Sequence, residues 1–136
     1  MKQNLLIQSI EAEQLKTSVP QFHIGDTLSI HTRIVEGEKE RVQVFTGTVI
    51  SRKGGNSLSA TFSVYRVSYG SGMEKVFMTH SPRIVKIEIL KNGQVRKSKL
   101  YYLRGVSGKK AKVKERMRPR TKVNAKAVSA PVDIQQ

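Results

Sequence analysis

The chain has 136 residues, which allows one compact domain, and no cysteine, which excludes disulfides, thiolate nucleophiles and cysteine-ligated zinc. Its 25 Lys and Arg against 10 Asp and Glu give a formal charge of +15, and only 38% of residues are hydrophobic, so part of the chain is expected to stay outside the core. No apolar run reaches the roughly 18 to 20 residues of a membrane span and no short hydrophobic leader opens the chain, so a soluble cytoplasmic protein is expected.

The first predicted element is a short amphipathic helix from Asn4 to about Leu15. It carries Leu5, Leu6, Ile7 and Ile10, has Asn4 as a plausible cap and is expected to pack on the main body. Ser18, Val19 and Pro20 end it. The chain then changes to short runs of Val, Ile, Phe and Thr punctuated by glycine, which is a strand pattern. Strands are predicted over Asp26 to Val35, Val42 to Arg52, Thr61 to Val67, Met73 to Thr79 and Arg83 to Leu90. Five short strands suggest a mainly β protein built as a small barrel.

Alternation supports the outer strands. Leu28, Ile30 and Ile34 share one parity, as do Val85, Ile87 and Ile89, with Lys86 and Glu88 left for water. In the second strand Val42 and Val44 face opposite to Phe45 and Val49, so this strand is expected to change sheets or bend at Gly47. Glu36-Gly37-Glu38, Gly54-Gly55-Asn56 and Gly70-Ser71-Gly72 have hairpin chemistry. Beyond the barrel, Ser98 is placed to cap a single helical turn carrying Leu100, Tyr101, Tyr102 and Leu103 and ending at Gly105. After Gly108 no pattern predicts a core. The chain thus divides into a helix (1–17), a barrel (18–90), a basic segment with a short helix (91–122) and a disordered extension (123–136), and a chain cut after Leu90 is expected to keep its fold.

Between Lys91 and Lys122 lie 13 cations against the single acid Glu115, a local charge of +12. Such density repels itself and implies a polyanionic partner, here nucleic acid. Lys110, Lys112, Lys114, Arg116, Arg118, Arg120 and Lys122 recur at every second position, and Pro119 disfavours a helix through them. In an extended chain they would point one way, roughly 6.6 Å apart, comparable with the spacing of neighbouring phosphates along a nucleic-acid backbone. The alternative is a solvated basic tail that orders only against its nucleic acid.

Four stretches carry a resemblance to a known family: Gly25-Asp26-Thr27, the run from Glu36-Gly37 through Glu40-Arg41-Val42-Gln43-Val44-Phe45 to Gly47, His80-Ser81-Pro82-Arg83-Ile84, and above all the run from Lys91-Asn92-Gly93-Gln94 to Leu100-Tyr101-Tyr102-Leu103-Arg104. Across about Val19 to Glu115 the chain resembles the bacterial large-subunit ribosomal protein L-nineteen family. The resemblance implies an SH3-like barrel, a place on ribosomal RNA where the two subunits meet, and no catalytic activity. Two departures stand out. The family usually closes near a segment like Lys112-Val113-Lys114-Glu115, whereas this chain runs on for 21 residues, and Met73-Glu74-Lys75 and Met78 replace other residues, which reads as packing variation.

The candidate RNA contacts are Arg41, Arg52, Lys53, His80, Arg83, Arg96, Lys97, Lys99, Tyr101, Arg104, Lys109, Lys110, Lys112, Lys114, Arg116, Arg118 and Arg120. Cations around Tyr101-Tyr102 suit phosphate contact with stacking or ribose bonding by a ring, against the plainer reading that both rings pack the turn onto the barrel. Arg52 and Lys53 precede Gly54-Gly55, a bare tip able to approach a backbone closely; no Gly-Lys-Ser or Gly-Lys-Thr follows, so a nucleotide-phosphate loop is rejected. His23, His31 and His80 lack metal-pair spacing, so no metal or other cofactor is expected. A hydrolase built from His80, Ser81 and Asp26 is disfavoured because adjacent side chains on an extended segment diverge; Glu36, Glu38 and Glu40 read as a solvated loop.

The expected function is that of a structural constituent of the ribosome, not an enzyme. Expected partners are large-subunit ribosomal RNA, small-subunit ribosomal RNA at the interface and neighbouring large-subunit proteins, with no membrane and no small-molecule substrate. A nucleic-acid-binding SH3-like module outside the ribosome, transcription-associated or nucleoid, would share the charge and the fold; the run around Tyr101 argues against it.

Overall fold

The computed structural model describes residues 5–117. Five antiparallel strands, β1 (Thr27–Glu36), β2 (Lys39–Lys53), β3 (Thr61–Ser68), β4 (Ser71–Met78) and β5 (Ile84–Lys91), form one sheet in the order β4-β3-β2-β1-β5. Each strand end lies within three residues of its predicted place. The protein is mainly β and SH3-like in its barrel-like sheet, but β4 and β5 remain edges, so the sheet is open.

The sheet encloses an inner core of Phe22, Leu28, Ile30, Phe45, Val49, Phe62, Val64, Phe77, Ile84 and Ile87. Aromatic rings bind its parts together, with Phe22 edge-on to Phe62 at 4.9 Å and Phe62 stacked on Phe77 at 5.6 Å. Ile50, Tyr65, Leu100 and Leu103 form a second cluster, with Val67, Val95 and Val113 packed against it and Ile24 touching both clusters. β2 feeds both because its pairing with β3 shifts register between Val49 and Ser51, leaving Ile50 unpaired across the strands. The irregularity is therefore at Ile50 and not at Gly47, β2 stays in one sheet, and the glycine at 47 has another explanation. A Cβ at Gly47 would lie 2.6 Å from the Tyr65 carbonyl oxygen and 2.7 Å from Val64 Cγ1, so glycine is there to let β3 approach.

The helix α1 (Leu5–Gln14) forms where predicted, but it does not pack as expected. None of its residues is buried, and Leu5 and Leu6 are 80% and 70% exposed. The inner core is filled by the strands and by Phe22 of the loop before β1, and Gln8, Ser9, Glu11 and Glu13 interrupt the helix's apolar residues. Its attachment is polar instead: Lys16 donates its backbone N–H to His80 Nδ1 at 3.2 Å and its Nζ to the Ser81 and Ile84 carbonyls, each at 2.7 Å. The proposed cap Asn4 lies outside the described residues, and no described helix is long and apolar enough to cross a membrane.

Two more expectations are corrected beyond the strands. The helical turn is a 3-10 turn at Tyr101–Leu103 with Leu100, not Ser98, at its N-cap. Burial decides this, since Leu100 is fully buried and donates its N–H to the Ile50 carbonyl at 2.9 Å. After a second 3-10 turn at Gly108–Ala111, where no core was expected, Val113 packs on the outer cluster and Glu115 bridges to Gly93. The Gln94 N–H donates to the Lys114 carbonyl and the Arg116 N–H to the Asn92 carbonyl, both at 2.7 Å, so the chain pairs with itself like a short hairpin.

Candidate nucleic-acid interface

The basic segment is held by a buried carboxylate at its start. Asp26, 2% exposed, accepts the His23 N–H at Oδ2 and the Gly93 N–H at Oδ1, each at 2.8 Å. Its own carbonyl accepts the Val49 N–H at 2.9 Å, so one residue joins the loop before β1, the middle of β2 and the start of the basic segment. A Cβ on Gly93 would collide with the Gly25 carbonyl oxygen, which explains why the chain carries glycine at this crossing. In the sequence Asp26 opens the first predicted strand, belongs to the Gly25-Asp26-Thr27 stretch and is the carboxylate of the disfavoured hydrolase; its buried anchoring role is visible only in the fold.

From that anchor the segment runs over the outer cluster with its cations outward. Leu100 and Leu103 point in, while Arg96, Lys97, Lys99 and Arg104 are exposed. The tyrosines do not pack the turn onto the body: Tyr101 is 37% and Tyr102 53% exposed, and the leucines do the packing. Each ring carries cations instead. Arg104 Cζ lies 4.4 Å and Lys99 Nζ 5.9 Å from the Tyr101 centroid, and Lys97 Nζ lies 5.2 Å from that of Tyr102.

Arg104 is further oriented by Glu74 on β4, through Nε to Oε2 at 2.8 Å and Nη2 to Oε1 at 3.0 Å. The hydrogen bonds that the guanidinium donates to Glu74 hold its pKa above the ordinary value, so Arg104 stays charged at any physiological pH. Glu74 is thus an orienting partner and not the packing variation expected from the sequence. The signal was present, since Glu74 is the only acid in β3 and β4.

Further on, Lys109 and Lys110 sit on the second 3-10 turn, and the extended stretch begins at Lys112. There Lys112, Lys114 and Arg116 are exposed and Val113 is turned inward, but Glu115 and Met117, of the same parity as Val113, are exposed too, so the alternation in burial is limited to Val113. Lys110 precedes this extended run. Arg118, Arg120 and Lys122 lie outside the described residues, as does the extension 123–136.

The other candidates are dispersed over the barrel. Arg52 lies 4.8 Å from the Phe22 ring centroid and donates Nη1 to the Phe22 carbonyl at 2.8 Å, while Lys53 beside it is exposed. Arg41 pairs with Glu36 at 3.0 Å across the β1–β2 hairpin. His80 is partly buried and accepts from Lys16. Arg83 is exposed in a groove of about 670 Å³ that also contains Arg33 and Lys75. Among the described residues, no three His, Asp or Glu side chains come together as a metal site would require.

A family model described as Ribosomal protein L19 matches residues 5–116, from the first residue of α1 to the cation after the Gly93–Glu115 bridge. The chain belongs to that family. It is 59% identical over 125 residues to the large ribosomal subunit protein bL19 of Protochlamydia amoebophila (strain UWE25), covering 92% of each chain. It is 56% identical over 116 residues to the large ribosomal subunit protein bL19 of Chlamydia pneumoniae, covering 85% of this chain and 95% of the relative. The family's proteins are structural components of the ribosome and not enzymes, and the chain is a ribosomal constituent of that kind. The matched span includes all five strands, both 3-10 turns and the outer cluster, so the surface just described belongs to the family's own fold.

Proposed function

We propose that the protein binds large-subunit ribosomal RNA through the face built on 91–117 and, from a position near the subunit interface in the cytoplasmic ribosome, helps to hold the large and small subunits together. The observation that carries the reading is the fixed presentation of charge: Lys112, Lys114 and Arg116 face outward from a stretch pinned by Val113 and by two backbone hydrogen bonds of 2.7 Å. Cations on a fixed support offset phosphate repulsion without first having to be ordered, which lowers the entropic cost of binding. Tyr101, Tyr102, Lys97, Lys99 and Arg104 extend the face with rings and a preset guanidinium fork for a ribose, a base or a phosphate. Arg96, Lys109 and Lys110 add charge along the same path, and Arg118 and Arg120 continue it in sequence.

Arg52, Lys53, Arg41, His80 and Arg83 are proposed as separate contacts of the barrel body, with neighbouring large-subunit proteins and small-subunit RNA meeting the faces that the basic segment leaves open. The proposal is tested by crosslinking the protein to RNA in assembled particles. Adducts on 91–117 to large-subunit RNA are expected, with barrel-side adducts to small-subunit RNA only in joined subunits; adducts confined to proteins would overturn it.

A further inference from the structure

The tip of the β3–β4 hairpin is the only place among the described residues where a residue other than glycine has a positive φ: Tyr69, at +51°. Ser68 pairs with Ser71, so Tyr69 and Gly70, the latter at +77°, form the two-residue loop. Two positive values make a type I′ turn, whose first central position favours Asn, Asp or Gly because a larger side chain crowds the backbone there. Tyrosine at this position costs stability and returns no packing, since its side chain is fully exposed, at 105%. Strain kept without a packing benefit points to a use outside the fold.

The surroundings narrow that use. Val67 packs on the cluster of Leu100 and Leu103, and Glu74, opposite Tyr65 on the same hairpin, is the carboxylate that holds Arg104. The tip therefore projects past the turn carrying Tyr101 and Tyr102, roughly 6.6 Å along the strand from Val67. With Glu74 neutralised by Arg104, Arg66 and Lys75 set the sign of the hairpin. Arg66 reaches the tip itself, its Nη2 3.4 Å from Ser68 Oγ. Ser68, Gly70, Ser71 and Gly72 next to Tyr69 carry no apolar side chain, and the exposed Met73 lies further down the hairpin, opposite Arg66. Aromatic anchors of protein interfaces are ringed on their own surface by contacts that exclude water, which serines and glycines supply poorly. A lone ring beside bare backbone and a guanidinium suits an unpaired nucleotide, which offers a flat face to one and a phosphate to the other.

We infer that Tyr69 and Arg66 form a nucleotide-binding tip, the ring stacking on an unpaired base of RNA and the guanidinium holding an adjacent phosphate. The inference rests on the RNA binding proposed above and places a contact outside the basic segment. Two variants separate ring from backbone: Tyr69→Asn removes the ring with a residue that tolerates the left-handed turn, and Tyr69→Phe keeps the ring. Against large-subunit ribosomal RNA at fixed salt, Tyr69→Asn should bind about tenfold more weakly while melting no lower than the parent, and Tyr69→Phe should bind like the parent. Arg66→Gln should lower the log-log salt slope by roughly 0.7 to 0.9. Ultraviolet crosslinking of assembled particles should leave a nucleotide adduct on the peptide containing Tyr69. Parental affinity in Tyr69→Asn, or a crosslink from Tyr69 to a protein, overturns the inference. A paired Lys97→Gln, Lys99→Gln variant, measured on the same RNA, distinguishes the two levels. If it loses affinity and Tyr69→Asn does not, the tip fails and the RNA reading stands; if neither loses affinity, both fail.

Discussion

The two ends of the described chain reverse what their compositions suggest. The helix α1 holds Leu5, Leu6, Ile7 and Ile10 and buries none of its residues, whereas the stretch 91–117, crowded with cations, supplies Leu100 and Leu103 at 0% and 2% exposure. Apolar content alone does not attach a segment to a body. What attaches 91–117 is register: a fully buried leucine pair spaced by one 3-10 turn, an unpaired Ile50 that leaves room for it, and Asp26 holding the Gly93 amide at the entry. Lys16, just past the helix, makes polar contacts with the His80–Ile84 loop.

Cutting the chain after Leu90 should break this contrast most severely. The sequence alone suggested that such a chain would fold; the structure predicts that it loses cooperative unfolding or melts far lower, because Ile50 and Tyr65 would be uncovered. Leu103→Ala isolates the effect and should cost about 2 to 5 kcal/mol in urea denaturation. Asp26→Asn should come next, at about 1 to 3 kcal/mol, since the amide nitrogen cannot accept the backbone N–H that one carboxylate oxygen now receives. A cost near zero would mean that the basic segment is anchored by its leucines alone.

Replacing Lys112, Lys114 and Arg116 together by Gln should leave melting unchanged, because all three are exposed. Affinity for large-subunit RNA should fall, with the salt slope reduced by roughly 2 to 3, from 0.7 to 0.9 per lost phosphate contact. The smallest effect belongs to α1. Deleting residues 1–14 should change stability by no more than about 0.5 kcal/mol, since nothing of the described helix is buried. A larger loss in calorimetry would show that the helix packs in solution.

Much of the barrel was legible because its signals are local. Alternation in β1, the Gly37 turn and the Val, Ile and Phe runs place the strands within three residues. In β5 the alternation misplaces Val85, which is skipped where the pairing with β1 shifts register and is 60% exposed, while Ile84 is buried in its stead. The β3–β4 turn was displaced by one residue, to Tyr69-Gly70, because a tyrosine with positive φ is not a turn signal that propensity can register. The outer cluster was hidden for a different reason. Charge dominates the composition of 91–117, and whether Leu100 and Val113 are covered depends on Ile50, 50 and 63 residues away. The cations could be read individually, but Glu74 behind Arg104 is a long-range pairing that only the fold brings together.

On this account the cations act from a folded support and not as a loose cloud of charge. Val113→Gly tests it directly, because it keeps every charge and removes the apolar contact that pins the extended stretch. Measured by salt titration against large-subunit RNA, the variant should bind several-fold more weakly at all salt concentrations, with a slope close to the parent's. Equal affinity for parent and variant would contradict the account and assign the binding to charge alone.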